Sequence, residues 1–548
     1  MVAKVFTGCL SGLDAHPVTV EVDLNNGIPG LTIVGLPDTG VNESRERVKS
    51  AVKNSGFAFP LKKIIINLAP AALRKEGTGF DLPLCVAILL AGELLAPTEF
   101  LDQTCFVGEV SLEGSIRPVS GALSMALMAR AEGFRYLVVP AENVREASLV
   151  EGIEVFGLRH LSELPVFFLH PHSYAEPVDH QAVLTEAREG QCRAQIDFAD
   201  VKGQTACKRA LEIAAAGGHN LLMMGPPGSG KSMLAKAFAG ILPPMTFDET
   251  LAVSRIYSVA NLLPAGQSLI VNRPFRSPHH GASKAGLTGG GSQPKPGEIT
   301  LAHHGVLFLD EFVEFPRSVL EVLRQPIEDG TVTISRAQQS MTYPAQFQLV
   351  AAMNPCPCGY FGDSGKGCTC PELQIFRYLH RISGPLLDRI DIHLEVPRLQ
   401  ENELLSPASQ LGSVESSETV RERVIAARQI QLARFAGTGR FTNATMTSRE
   451  IQTHCALDDT SRQLLKRAVQ KMNLSARAFD RILRLARTIA DLGAAERISS
   501  AHVAEALQYR AVDKLFQQQR LRQLQKKPAD TPAESDPRLS GDSVLVAV

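Results

Sequence analysis

No stretch of this sequence reaches the roughly 18 apolar residues of a membrane span. The opening MVAKVFTGCLSGLDAHPV holds no apolar run long enough for a signal sequence. A cytoplasmic location is therefore expected, with no membrane partner. Net charge is also nearly absent, at −1 over 548 residues, so bulk charge does not announce a nucleic-acid binder. Charge is local instead. Residues 461–527 carry 15 Lys/Arg against 5 Asp/Glu, a basic block that suits either a polyanion or a solvated helical surface. Ten cysteines in a chain this long do not suggest a disulfide framework in a reducing compartment. Six are scattered and read as small buried apolar residues; four cluster. What is present, 44% hydrophobic and 21% charged residues, is the composition of a globular protein long enough for about three domains.

The expected fold class is α/β multidomain. Residues 1–166 alternate strand-like runs (18–24, 31–34, 62–68, 135–139) with helix-like runs (41–55, 81–95). Residues 167–195 are polar and mixed, with Pro171 and Pro177, and read as a linker. Residues 196–400 alternate strands and helices around phosphate-binding signals. Residues 401–515 read as helical after a Ser-rich lead, and 516–548 as a tail, basic and then disordered by composition.

The sharpest signal is GPPGSGKS at 225–232, preceded by the strand-like LLMM and followed by the helix-like MLAKAFAGIL. Gly225, Pro226, Pro227, Gly228, Ser229 and Gly230 would wrap backbone N–H groups round phosphate oxygens. Lys231 would reach the β- and γ-phosphates and Ser232 would hold Mg²⁺. ATP and Mg²⁺ are thus the implied cofactors. The apolar run 306–309 ends in Asp310 and Glu311, one to bind Mg²⁺ through water and one to polarise the attacking water; an ordinary loop start is the bland alternative. A third run, 347–353, ends in Asn354, placed for the γ-phosphate or the water, or else a turn residue.

With the lead-in DFADVKGQ at 197–204, these motifs resemble an AAA+ ATPase of the magnesium-chelatase-like branch. The resemblance implies that the lead-in, with Val201 and Gly203, packs by the adenine, and that Asn354 is the sensor-1 residue. It implies that Arg389, in GPLLDRIDIHLEVP, is the arginine finger, and Arg477, in LSARAFDRIL, the sensor-2 arginine of a helical lid. A finger completes a neighbour's site, hence a ring. Arg389 could instead pair with Asp388 or Asp391, and Arg381 competes as the finger.

In this branch two insertions face the ring's pore. One corresponds here to about 262–300, rich in Gly, Pro and Ser, with Arg276, His279, His280, Lys284 and Lys295. It reads as a flexible loop tracking a nucleic-acid backbone; the paired histidines could otherwise take a metal. The other is TVTISRAQQSMTY at 331–343, a hairpin with Arg336 at its tip, set to grip phosphates or simply solvated. Arg477, Arg481 and Arg484 share a stripe of one lid helix, opposite the apolar stripe Ala478, Ile482, Leu485, Ile489 and Leu492. Arg481 is open between DNA contact and nucleotide sensing. Cys356, Cys358, Cys368 and Cys370 form two C-x-C pairs that can close a tetrahedral structural zinc site; buried thiols or redox pairs are the alternatives.

Residues 69–83 and 114–143 are similar to the protease domain of Lon. Gly79 stands where the serine nucleophile would fall, and 121–125 hold no lysine, so no peptidase activity is expected. The domain could bind DNA, partners or neighbouring subunits. Together these features are similar to the bacterial YifB/ComM family. The resemblance implies a homohexameric ATP-driven DNA helicase that promotes branch migration in homologous recombination. It further implies integration of DNA in natural transformation, on branched or junction DNA, alongside a recombinase or other recombination proteins. A chelatase- or chaperone-type motor remodelling a protein is the alternative; the D-x-S-x-S motif of a chelatase's metal-adhesion partner is absent.

Overall fold

The computed structural model describes residues 2–510 apart from 176–181, 184, 186–195, 265, 292–294, 336–339, 364, 400–414 and 473. Arg336, most of the expected linker, the Ser-rich lead up to 414 and the tail 516–548 lie outside the described residues.

The first unit contains β1 (Ala3–Ser11), β2 (Asp14–Asn25), β3 (Gly30–Val34), α1 (Thr39–Asn54), β4 (Lys63–Ala69), α2 (Asp81–Ala91), β5 (Thr104–Phe106), α3 (Ala122–Ala131), β6 (Tyr136–Pro140) and β7 (Glu154–Leu158). Its strands make one mixed sheet in the order β3-β4-β2-β1-β5-β6-β7. In β2 the pleat turns Val18, Val20 and Val22 into the core while their neighbours face outward. Helix α2, DLPLCVAILLA, is apolar nearly all round and is buried nearly all round. Helix α1 starts where Asp38 accepts a 2.7 Å hydrogen bond from the Val41 N–H. The unit does not end at 166. Leu164–Leu169 is helical, and Phe167, Phe168 and Tyr174 pack on the same core. An aromatic cluster thus occupies the start of the expected linker.

The second unit contains α4 (Thr205–Gly217), β8 (Leu221–Met224), α5 (Lys231–Ile241), α6 (Phe247–Val259), β9 (Phe275–Arg276), β10 (Val306–Leu309), β11 (Thr331–Ser335), β12 (Ser340–Pro344), β13 (Gln348–Met353) and β14 (Ile392–Glu395). Five strands form a wholly parallel sheet, β9-β10-β13-β8-β14. Every residue of β8, β10 and β13 is buried, as expected where both faces of a parallel sheet are covered. β11 and β12 form the expected antiparallel hairpin outside this sheet. The expected flexible insertion over 262–300 is a correction. Leu269 and Val271 are buried against the first unit, and β9 is an edge strand of the central sheet. The insertion also holds a short helix, Lys284–Thr288, whose Leu287 is buried in the second unit's core, and the small strand pair Gly289–Gly290 and Lys295–Pro296.

The helical lid holds α7 (Ser417–Arg434), α8 (Asp459–Met472), α9 (Ala476–Leu492) and α10 (Ser500–Gln508). It has no separate core. Val420, Val424, Ile482, Leu485 and Ile489 pack into one cluster with Leu211, Leu234 and Phe238 of α4 and α5. Much of the basic block is structural. Arg481, Arg487 and Arg510 are buried, and Asp491, also buried, accepts from Arg434 (2.6 and 2.7 Å), Arg487 (3.0 Å) and Asn443 (2.8 Å).

The first unit docks on α6. Arg255 donates to the Leu13 carbonyl (2.7 Å), Asp14 (2.6 Å) and Ser124 (3.0 Å). Ser258 donates to Glu146 and accepts from the Gly121 N–H. Leu13 also packs with Tyr343 of β12, so the base of the hairpin touches the first unit.

Removing Asp491 strands the buried Arg487 and the partly buried Arg434, and breaking a buried pair costs about 3–5 kcal/mol. Asp491→Ala is expected to lose hydrogen-exchange protection across α7 and α9 before the first unit does. Unchanged protection there would show that the cluster does not hold the lid.

Candidate active site

The parallel sheet sets the site. β10, β13 and β8 are neighbours, and their C-terminal ends bring Asp310, Asn354 and the 225–232 loop to one edge. In parallel α/β sheets this edge is where ligands bind. Gly228 and Gly230 have φ of 76° and 89°, conformations that let successive N–H groups turn inward and that side chains resist. A Cβ at Gly225 would collide with the Val396 carbonyl. Lys231 begins α5 and is 9% exposed. Its Nζ donates to the carbonyls of Gly225 (2.7 Å) and Pro226 (2.9 Å) and to Asn354 Oδ1 (3.3 Å). Burial lowers its pKa from the usual lysine value, with Asp310 opposing.

Ser232 Oγ and Asp310 Oδ2 lie 2.6 Å apart. Two hard oxygen ligands thus converge beside the phosphate loop, the donor set Mg²⁺ takes. Ser229 Oγ is buried without a protein partner, a polar atom free to meet a nucleotide oxygen. The residues therefore fit a Mg²⁺–nucleotide. Lys231 and the loop amides would hold its phosphates, and Ser232 and Asp310 its ion.

Two positioning residues were not read from the sequence. Gln204 of the lead-in donates to the Ser229 carbonyl (2.7 Å), tying the lead-in to the phosphate loop. Val201 is buried nearby in sequence and Gly203 has φ of 58°. Glu311, at φ 50°, is in the left-handed region, a strained state for a non-glycine residue, and its Oε2 lies 2.8 Å from His280 Nδ1. The sequence marked the His279–His280 pair only as cations or metal ligands. Its nearness to Glu311 arises because β9, just before it, lies beside β10.

The arginines divide. Arg389 precedes β14, which runs parallel to β8 with Glu395 opposite Met224. It therefore sits at the sheet end away from the phosphate loop, across about 10 Å of strand. Arg389 Nη2 pairs with Glu328 (2.5 Å), not with Asp388 or Asp391, and Arg477 reaches the same carboxylate at 3.7 Å. Arg381 pairs with Glu314 (3.1 Å) at an exposed position. Among the DNA-contact expectations, burial corrects that for Arg481, while Arg276 stays partly exposed. Arg276 is held bidentately by Glu298 (2.7 and 2.8 Å). Arg481 is buried 3.3 Å from Asp391; burial opposes ionisation of that carboxyl, yet His219, Arg481 and Arg484 hold it down to about 2. Lys284 is exposed at the start of its short helix.

The four cysteines meet. Cys356 Sγ lies 3.3 Å from Cys358 and 3.6 Å from Cys368, and Cys358 lies 3.6 Å from Cys368. All four sulfurs fall within 4.8 Å of one another, the one such cluster of three or more His, Cys, Asp or Glu ligands among the described residues. Burial pushes Cys356 up to about 12, while N–H groups of Tyr360 and Thr369 pull Cys358 down to about 6.

Family models concur with this geometry. That of magnesium chelatase subunit ChlI matches residues 197–404, a second for the same subunit matches 20–143, and its C-terminal model matches 414–510. The fold and site are those of an AAA+ ATPase of the magnesium-chelatase type, using ATP and Mg²⁺. The chain is 46% identical to the YifB protein of Salmonella typhimurium, over 94% of this chain and 98% of that one. It is 46% identical to YifB of Escherichia coli over 93% and 97%, and 45% identical to the competence protein ComM of Haemophilus influenzae over 94% and 98%. The chain belongs to the YifB/ComM family.

For Glu311 to orient a water, the role the resemblance implies, it would have to leave His280. Releasing an exposed pair worth under about 1 kcal/mol allows a rise of about threefold. His280→Ala is expected to raise basal ATP turnover by that factor with nucleotide affinity unchanged, measured by steady-state kinetics and nucleotide titration. A fall in turnover would mean that His280 supports Glu311 rather than restrains it.

Proposed function

We propose that this ATPase works as a homohexameric ring that drives DNA through its pore and promotes branch migration in homologous recombination, including integration of DNA in natural transformation. The observation that carries the ring is the split of the site. The phosphate loop, Asp310, Glu311 and Asn354 occupy one end of the sheet, whereas Arg389 and Arg477 share Glu328 at the other. An arginine so placed is remote from its own nucleotide; Arg389 is buried, and on this reading Glu328 and the Pro385 carbonyl (2.6 Å) hold it until a neighbour docks and draws it out. The competence role of the Haemophilus relative supports DNA as the substrate. So do the β11–β12 hairpin, in which Arg336 follows Ser335, and the exposed Lys284. The recombination setting makes a recombinase a fitting partner. Zinc in the four cysteines serves as a structural ion, since four thiolates leave no open coordination position. A second reading, a motor that remodels a protein, draws on the magnesium-chelatase match itself.

Four-way and forked DNA are expected to stimulate ATP turnover, and ATP to drive strand displacement. Arg336→Ala is expected to weaken both while rings still assemble. Turnover indifferent to DNA, with no displacement, would favour the protein-remodelling motor.

Arg389→Ala is expected to lower turnover roughly 10³-fold, the loss typical of a missing finger. Rings mixed from Arg389→Ala and Lys231→Ala subunits should recover part of it, because some interfaces regain both groups. Mixed rings that recover nothing would place Arg389 outside the neighbour's site.

A further inference from the structure

The four-cysteine loop is joined to the nucleotide site at two points. Its first cysteine, Cys356, is two residues beyond Asn354, the side chain that accepts from Lys231 Nζ. Its second contact is through Gly359, one residue after Cys358. A Cβ placed there would fall 2.5 Å from Pro227 Cδ, and φ is 85°. The turn therefore lies flat against the phosphate loop, closer than any side chain permits. The start of the phosphate loop is also tied to the same strand end, where the Gly225 N–H donates to the Met353 carbonyl (3.2 Å).

Between these points the backbone has little of its own to hold it. The described residues of 355–371 form no helix or strand. Their internal backbone hydrogen bonds are short turns, Gly359 to Cys356 and Asp363 to Tyr360. The sulfurs do the closing. A tetrahedral zinc thiolate with bonds of about 2.3 Å spaces its sulfurs about 3.8 Å apart. The distances here, 3.3, 3.6 and 3.6 Å, suit one ion and leave no room for a multi-iron cluster. Four thiolate ligands select a soft or borderline cation.

We propose that a zinc ion in Cys356, Cys358, Cys368 and Cys370 acts as a brace on the nucleotide site, pressing Gly359 against Pro227 and fixing Asn354 beside Lys231, so that metal occupancy sets nucleotide affinity. This rests on the zinc reading given above and adds to it a mechanical consequence. The ion touches no substrate; it positions residues that do.

The test uses the full-length protein, purified reduced, with a fluorescent ADP analogue as probe. Metal analysis comes first, and one zinc per chain is expected. Removing it with a chelator should weaken probe binding about tenfold, and adding zinc back, but not Mg²⁺, should restore it. Gly359→Ala should keep its zinc yet lose affinity to a similar degree, because its added Cβ lifts the turn from Pro227 without altering a thiol. Reduced protein with no bound metal would overturn the zinc reading itself. Protein that binds zinc stoichiometrically, but whose probe affinity is unmoved by its removal and by Gly359→Ala, would overturn the brace alone.

Discussion

A lysine stripped of most of its water, at the edge of a parallel sheet, is the constraint the rest of the second unit serves. Lys231 is held in place by two carbonyls of its own loop and by Asn354, and these partners leave its positive charge unneutralised. Asp310 offsets that burial in part, and a bound anion would offset it further; the inward-turned amides around Gly228 and Gly230 admit one of phosphate shape. The order β9-β10-β13-β8-β14 follows from this need. It brings Asp310 and Asn354 to the same edge as the loop, each at the end of its own fully buried strand.

The parts legible in the sequence were those encoded within a few residues. GPPGSGKS between an apolar run and a helical one, VLFLDE, and the run ending in Asn354 each join a buried strand to a polar residue at its end, and the structure places all three as read. The four cysteines were legible for the same reason. In the first unit β2, β3, β4, β6, α1 and α2 were legible, because Val18, Val20 and Val22 alternate and α2 is apolar after Asp81, whereas β1, β5, β7 and α3 were not read.

What local sequence could not give was the fate of each arginine. Whether a guanidinium faces DNA or a carboxylate depends on partners brought from far along the chain. Glu328 is 61 residues before Arg389, Glu298 is 22 after Arg276, and Asp391 lies before the lid whose helix α9 carries Arg481. Counting charge over 461–527 therefore overstated the basic surface, since Arg481, Arg487 and Arg510 are interior. The same applies to β9. Two residues flanked by Pro274 and Pro278 carry no alternation, and only pairing with β10 makes them a strand.

The first unit's lack of protease residues has a structural counterpart. Ser124, within the segment where a catalytic lysine would stand, is buried and accepts from Arg255 of α6, and the Gly121 N–H beside it donates to Ser258. A lysine in place of Ser124 would put a second cation against Arg255 with no carboxylate to spare, because Asp14 and Glu146 are already engaged. Docking also places Leu13 against Tyr343 at the root of the β11–β12 hairpin. A displacement of that hairpin would therefore press on the first unit, so the two are mechanically coupled at this contact.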